Sequence, residues 1–224
     1  MTGFSFKALM GAIVSSLLIL SGSAAAAPPE APGEQTAALS PDDVAAVRRA
    51  ISYLNGIESF EARFLQVSSD GGIAEGDVVV DRPGKLRFDY DPPVPILIIA
   101  NGLSLLYYDR ELEQASFMPL WETPLWFLIR DEVKLSDDIR VADVRQDKGV
   151  LRITLVNREE ADEGRVTLVF SDHPLVLRKW ELVDAKGIET QVSLLNPRFG
   201  VEVDPELFEH KDLGVGVYRD RDQR

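Results

Sequence analysis

The chain has 224 residues, of which 45% are apolar and 27% charged, and it contains no cysteine. This length suffices for one sizeable globular domain or at most two small ones. The lack of cysteine excludes disulfides, thiol nucleophiles, iron–sulfur clusters and thiolate zinc sites, and the two histidines, His173 and His210, are too few for a His-rich metal site. The formal net charge of −13 provides no basic surface for nucleic acid or an anionic membrane.

Residues 1–27 have the features of an export signal. Lys7 supplies positive charge near the start, residues 8–20 form an apolar core, and Ala24–Ala27 offer a small-residue cleavage site. A single anchoring helix is the alternative, but 13 apolar-core residues fall short of the ~20 needed to cross a bilayer. We therefore expect cleavage near Ala25–Ala27. The formal charge then becomes −14, because Lys7 is the only charged residue removed.

The folded part is expected to begin at Ser40, after a Pro/Ala/Glu-rich linker at residues 28–39. Ser40 is a suitable N-cap, Pro41 fits the first helical position, and acidic residues follow. Apolar residues then recur at spacings of three and four, which predicts a helix that ends at Asn55-Gly56 and lies on an apolar surface. These apolar residues are Val44, Val47, Ile51 and Leu54.

Most of the chain after this helix has the pattern of β-strands. Residues 60–64 and 85–90 alternate between apolar and polar side chains, whereas residues 96–100 are apolar throughout and precede the hairpin signal Asn101-Gly102. Further strands are predicted at residues 103–108, 139–145, 150–156, 165–170, 176–183 and 188–194. About ten short strands with hairpin-length turns predict a continuous antiparallel sheet that is strongly curved or partly closed into a barrel. A doubly wound nucleotide-binding fold is excluded, since helices do not alternate with the strands.

Residues 117–131 break the strand pattern. Thr123 is suited to cap, and Pro124 to start, a short helix whose surface is apolar almost all round. Such a helix must be buried on more than one side. Two interpretations remain open at this point, a core plug that closes one end of the barrel or a mobile lid over an apolar cavity. The predicted lid consists of Trp121, Pro124, Leu125, Trp126, Phe127 and Leu128.

The residues that could support catalysis are not arranged as in known active sites. Residues 68–72 are predicted to form a hairpin tip, and no G-x-S-x-G elbow stands between a strand and a helix. His173 precedes Pro174 in a turn, and His210 lies near the tail. Acidic clusters such as residues 159–163 have the composition of solvated loops. We therefore predict that the protein is not an enzyme and has neither a cofactor nor a metal site.

Several short stretches, which together span nearly all of residues 40–208, form an ordered series. They are residues 60–66, Gly76, residues 81–88, Asn101-Gly102, Tyr108-Asp109, Glu113-Gln114, residues 123–125, residues 189–192, Asn196 and Leu207-Phe208. In this order, behind an export signal, they resemble the periplasmic outer-membrane lipoprotein carrier proteins, the LolA family. The resemblance implies a mainly β fold with covering helices, in which a curved antiparallel sheet forms a half-open barrel around an apolar cavity. It places the carrier domain at residues 40–211 and leaves residues 212–224 as a C-terminal tail.

The resemblance also implies a function. Carriers of this family accept acylated lipoproteins from an ATP-driven inner-membrane transporter, shield the acyl chains in the periplasm and deliver the lipoproteins to the outer membrane. The expected partners are therefore acylated lipoproteins, that transporter and an outer-membrane acceptor where one exists. The carrier is expected to be a monomer and to perform no covalent chemistry. Inner-face side chains would line the cavity, although the sequence leaves open which strand phase faces the lid. The candidates are Phe60, Phe64, Leu86, Phe88, Tyr90, Ile96 and Ile98.

Arg82 is the residue that the resemblance assigns as the latch of the lid. In the matching Arg-Pro motif of the family, the arginine donates hydrogen bonds to backbone carbonyls of the covering helices and so favours the closed, empty form. A guanidinium has five donors and keeps its charge, so several carbonyls can share it. From the residues alone, the alternative is a solvated turn arginine.

A second functional hypothesis is a periplasmic sensor or regulatory domain of the same fold, which binds lipoprotein or lipid and signals to a protein partner. That hypothesis predicts a further binding domain. Only 16 residues follow Phe208, and they end in a charged tail. The sequence therefore favours the carrier.

Overall fold

The computed structural model describes residues 39–123, 126–135, 139–157 and 164–210, and only the backbone of Glu122 and Phe127. The predicted signal, nearly all of the predicted linker and the predicted tail lie outside these residues. Within them, the chain forms a long helix α1 (Pro41–Asn55) and a short helix α2 (Trp126–Ile129), with 3₁₀ turns at Leu120–Glu122 and Pro205–Phe208. None of the helices in these ranges is long and apolar enough to cross a membrane.

Eleven strands in the described ranges form one open antiparallel sheet. The strands are β1 (Ser59–Ser68), β2 (Ile73–Asp81), β3 (Lys85–Tyr90), β4 (Ile96–Asn101), β5 (Ser104–Asp109), β6 (Gln114–Pro119), β7 (Ile139–Asp147), β8 (Val150–Asn157), β9 (Gly164–Ser171), β10 (Val176–Asp184) and β11 (Glu189–Phe199). Their spatial order is β6-β5-β4-β3-β2-β1-β11-β10-β9-β8-β7. The sheet therefore consists of a first meander, β1–β6, and a second meander, β7–β11, joined where β1 pairs with β11. Because β6 and β7 are the edges, the chain between them, which contains α2, passes from one edge to the other.

Two strands, β2 and β6, are absent from the sequence prediction for physical reasons. In β2, Val79 points to the outer face but is apolar, because it packs against an outer cluster around Phe208. The expected alternation is therefore lost in Val78-Val79-Val80. Strand β6 lies at an edge and buries little of its surface, so its sequence carries only a weak pattern.

Helix α1 confirms the sequence prediction at both ends. The Ser40 hydroxyl accepts a hydrogen bond from the Asp43 N–H at 3.1 Å, and the Asp43 carboxylate accepts from the Ser40 N–H at 3.3 Å, which completes a capping box. The helix ends at Asn55, and Gly56 caps it. Its buried residues face the sheet, and they are Ala46, Val47, Ala50 and Leu54.

One hydrophobic core lies between α1 and the concave face of the sheet. It contains residues from both meanders, such as Phe64 of β1, Ile98 of β4 and Leu151 of β8. The ring of Tyr53 on α1 lies edge-on to Phe170 of β9 with centroids 6.0 Å apart. The sheet therefore curves around α1. The sequence predicts the curvature and an apolar surface beneath the helix, but not that the sheet supplies this surface.

The outer face of the first meander has a smaller apolar cluster. Leu97, Ile99 and Leu106 are buried there beneath Phe208 of the Pro205–Phe208 turn. Residues 96–100 of β4 are all apolar because both faces of the strand are covered, the inner one by the core and the outer one by this turn.

Residues 117–131 differ in part from the prediction. Residues 117–119 complete β6, and α2 is only four residues long. Thr123 does not cap α2 with its side chain, because its hydroxyl donates to the Leu120 carbonyl of the preceding turn at 2.8 Å. Its backbone carbonyl accepts from the Trp126 N–H at 3.1 Å instead.

Candidate functional site

A small apolar cavity lies where the end of α1, α2 and the inner face of the sheet meet. Its volume is about 20 Å³, enough for about one water molecule. The lining side chains are apolar except for Arg82, and they are Leu54, Ile57, Phe60, Val80, Arg82, Leu86, Leu128, Ile129, Leu177 and Trp180. An acyl chain cannot enter this conformation unless the residues that cover the cavity move.

The structure places all seven predicted cavity residues in the core on the concave side of the sheet. Only Phe60 and Leu86 border the cavity itself. The others fill the interior further along the sheet, where Phe64 packs edge-on to Phe88 and to Tyr90 with centroids 5.0 Å apart in each pair. That these residues bind lipid stays a prediction.

Tyr90 brings a polar group to this aromatic cluster. Its hydroxyl donates to the Gln66 side-chain oxygen at 2.8 Å, and burial raises its pKa above the ordinary value of 10.0. The hydroxyl is therefore neutral at physiological pH, and the cluster carries no charge that would oppose an apolar ligand.

The predicted lid residues that the structure describes fall into two environments. Trp121 is 51% exposed. Trp126 and Leu128 are half-buried against the core, and Leu128 lines the cavity. Pro124, Leu125 and the side chain of Phe127 lie outside the described residues.

The most deeply buried side chains near the lid are ones that the prediction omits. Leu120 and Val133 are 0% exposed, and Ile129 is 1% exposed. They flank the predicted lid on both sides. Leu120 and Ile129 belong to the same apolar run, so extension of the predicted segment by one helical turn in each direction would have found them.

Arg82, in the turn between β2 and β3, uses all five of its N–H donors on backbone carbonyls. Nε and Nη2 donate to the Arg130 carbonyl at 3.0 and 2.6 Å, and Nη2 also donates to Asp131 at 3.0 Å. Nη1 donates to the carbonyls of Ile57, at 3.0 Å, and Leu54. The guanidinium thus joins the end of α1 to the residues that follow α2.

The electrostatic cost of this position is visible in the pKa of Arg82. Burial lowers its pKa from the ordinary value of 12.5, and the nearby Asp131 carboxylate partly opposes that shift. Five hydrogen bonds to carbonyls compensate for the lost hydration of a half-buried charge. The Leu54 carbonyl belongs to the last turn of α1, where the helix dipole favours a cation, and the Ile57 carbonyl lies two residues beyond the helix end.

Neither histidine considered for catalysis lies at the cavity, and the acidic cluster at residues 159–163 lies outside the described residues. His173 is 82% exposed and lies 3.5 Å from Asp172, next to it in a surface turn. The ring of His210 contacts Phe117 on β6. Among the described residues, no group of three His, Asp or Glu side chains is placed to hold a metal ion.

The fold and this site define a β-sheet protein built around a covered apolar interior. A family model described as outer membrane lipoprotein carrier protein LolA matches residues 55–211. The chain belongs to this family.

Two similar proteins carry the name outer-membrane lipoprotein carrier protein. The one from Methylococcus capsulatus is 31% identical over 183 residues, which cover 77% of this chain and 87% of the relative. The one from Legionella pneumophila is 29% identical over 179 residues, which cover 75% and 87%. Among solved structures, an uncharacterized conserved protein from Thermus thermophilus has a TM-score of 0.48 at 11% identity, covering 76% of this chain and 96% of that one.

Proposed function

We propose that this protein carries the acyl chains of lipoproteins through the periplasm, from an ATP-driven inner-membrane transporter to the outer membrane. The observation that carries the proposal is the arrangement around Arg82, a fully hydrogen-bonded cation that holds helical covers over an apolar interior. Membership of the lipoprotein carrier family supports the same role.

The apolar interior would supply the binding energy. Each buried methylene contributes about 0.8 kcal/mol, so an acyl chain of roughly 16 carbons gains on the order of 12 kcal/mol in any apolar shelter. Binding is therefore easy and release is difficult. A carrier that closes well when empty returns part of this energy, because loading must break the contacts of the closed form.

The proposed path opens the cavity between Leu54 and Ile57 on one side and Leu128 and Ile129 on the other. Separation of these pairs exposes Phe60 and Leu86 first. The deeper aromatic cluster at Phe64, Phe88 and Tyr90, with Ile96 and Ile98, would line the enlarged cavity. The lid residues Trp121, Trp126 and Leu128 would contact the acyl chain at the opening.

Arg82 would act as the latch of this movement. Its hydrogen bonds exist only while both covers are in place, so they stabilise the empty form relative to the loaded one. The bonds form again when the acyl chain leaves, and their formation offsets part of the free-energy cost of release.

The remaining parts of the proposal concern location and chemistry. Residues 1–27 would direct export and be removed near Ala25–Ala27, leaving the mature carrier in the periplasm. A mature charge of −14 would oppose adhesion to anionic lipid at either membrane. The carrier would perform no covalent chemistry and need no cofactor.

The test is to purify the mature protein from periplasm under mild conditions and to identify bound molecules by native mass spectrometry. The proposal predicts acylated lipoprotein, or acyl chains derived from it, at one per carrier. Protein that never carries an acyl chain, or that turns over an ester or glycan instead, contradicts the proposal.

A further inference from the structure

Apart from the hydrogen bonds of Arg82, the two helical covers of the cavity are attached to different halves of the sheet. Helix α1 is attached to the second meander, since the Tyr53 hydroxyl accepts from the Leu177 N–H at 3.2 Å and Arg49 pairs with Asp172 at 3.2 Å. These contacts leave α1 with a fixed position on the sheet.

The residues around α2 are attached to the first meander. The Gly84 N–H, in the turn between β2 and β3, donates to the Ile129 carbonyl at 2.6 Å, and the Leu120 N–H donates to the Leu103 carbonyl at 3.3 Å. The two covers therefore meet along a seam, which we define as the contact of residues 54–57 with residues 128–133.

Asn55, the last residue of α1, crosses this seam directly. Its side-chain nitrogen donates to the Val133 carbonyl at 2.9 Å, and its side-chain oxygen accepts from the Val133 N–H at 2.7 Å. Val133 is 0% exposed, so both of its backbone groups rely on this one side chain for the hydrogen bonds that the structure gives them. A primary amide is suited to this, because it offers a donor and an acceptor side by side.

We propose that Asn55 is a second closing residue, which holds residues 130–133 against α1 independently of Arg82. The two residues act differently. Arg82 joins both covers to the sheet through the β2–β3 turn, whereas Asn55 joins the covers to each other with no sheet residue between them. Its importance for lipoprotein release rests on the proposed function, but its effect on the seam does not.

The exchange rate of the Gly84 amide hydrogen reports on the seam without any lipid. This N–H is protected by the Ile129 carbonyl and becomes free when the α2 segment lifts away. Two hydrogen bonds of ordinary strength correspond to roughly a 5- to 150-fold change in an equilibrium. We expect Asn55→Ala to accelerate Gly84 exchange, measured by NMR, by about that factor.

Ser52→Ala is the matched control, because Ser52 is an exposed residue of α1 three positions before Asn55. It should leave Gly84 exchange unchanged. The amide of Val78, in the central strand β2, should exchange at the wild-type rate in both variants. Asn55→Asp replaces the donor with a carboxylate that repels the Val133 carbonyl and the C-terminal end of α1, so it should accelerate Gly84 exchange at least as much as Asn55→Ala.

Three results would overturn the proposal. The first is a Gly84 rate in Asn55→Ala equal to that in Ser52→Ala, and the second is an equal acceleration at Gly84 and Val78, which would mean global loss of stability. The third is a double variant, Arg82→Leu with Asn55→Ala, that exchanges no faster than Arg82→Leu alone, since independent residues should multiply their effects. Failure of the proposed function would appear separately, as the absence of acyl chains from the purified carrier.

Discussion

Phe88 on β3 and Trp180 on β10 lie edge to face with ring centroids 6.2 Å apart, although β2, β1 and β11 separate their strands. Four strand spacings in a flat sheet would place the two backbones about 19 Å apart. The sheet must therefore bend sharply across its centre. This bend brings the two meanders together and creates the interior that the helices cover.

Trp180 therefore packs between the two meanders in that interior. It is 6% exposed and lines the cavity, so Trp180→Ala should lower the free energy of unfolding by about 3–5 kcal/mol and enlarge the cavity. Trp121→Ala deletes the same side chain at a position that is 51% exposed and should cost about 1 kcal/mol or less. Urea unfolding of the two variants measures the difference. Equal losses would mean that Trp180 does not bridge the meanders.

Gly76 on β2 is required by the close packing of its neighbours. A Cβ atom at this position would lie 2.1 Å from the Asp89 carbonyl oxygen and 2.7 Å from the Phe64 ring. Gly76→Ala should therefore destabilise the protein by about 1–3 kcal/mol in thermal or urea unfolding.

Gly72→Ala, at the end of the same hairpin, is the control for that experiment. Its Cβ would meet nothing closer than 3.5 Å, so the change should stay within about 0.5 kcal/mol. A Gly76→Ala variant as stable as Gly72→Ala would show that the sheet relaxes easily around Phe64.

The ion pair between Arg63 and Asp91 on the outer face of the sheet should make the stability of the protein depend on pH. The Arg63 guanidinium donates to both carboxylate oxygens of Asp91, and these bonds hold the pKa of Asp91 below its ordinary value of 3.8. A carboxyl whose pKa is lowered by folding stabilises the fold above its unfolded pKa, and this contribution is lost as the pH falls through the lowered value. NMR titration should show the Asp91 pKa rising towards 3.8 in Arg63→Gln. An unchanged pKa in that variant would exclude the pair as its cause.

Local features of the fold were accessible from the sequence. Helix α1 was predictable because its cap, Pro41 and the spacing of its apolar residues agree. The inner faces of β1 and β3 were predictable because their outer faces are polar. Strand β2 was not predicted, since Val79 is partly buried against the cluster around Phe208, a residue more than 120 positions further along the chain. Alternation is lost wherever a second cover lies on the outer face.

The candidate site was less accessible because its contacts join distant segments. The carbonyls that accept from Arg82 lie 25 to 49 positions away, and Asn55 and Val133 are 78 positions apart. From the residues alone, Arg82 resembles any exposed turn arginine; only its likeness to a family motif singles it out. Asn55 precedes Gly56 as residues at many helix ends do, so no sequence signal distinguishes it.

The most direct test of the central claim, that polar contacts close an apolar interior against an acyl chain, is lipoprotein release from Arg82→Leu. The variant lacks all five hydrogen bonds from the guanidinium to the covers. We expect it to fold and to accept lipoprotein. It should then retain the lipoprotein in a release assay with outer membranes, because these bonds no longer favour the closed, empty form. Arg130→Leu is the matched control, because Arg130 accepts through its backbone carbonyl and its side chain does not take part. We predict that Arg82→Leu retains most of its lipoprotein while wild type and Arg130→Leu release theirs. Equal release by all three proteins would contradict the account.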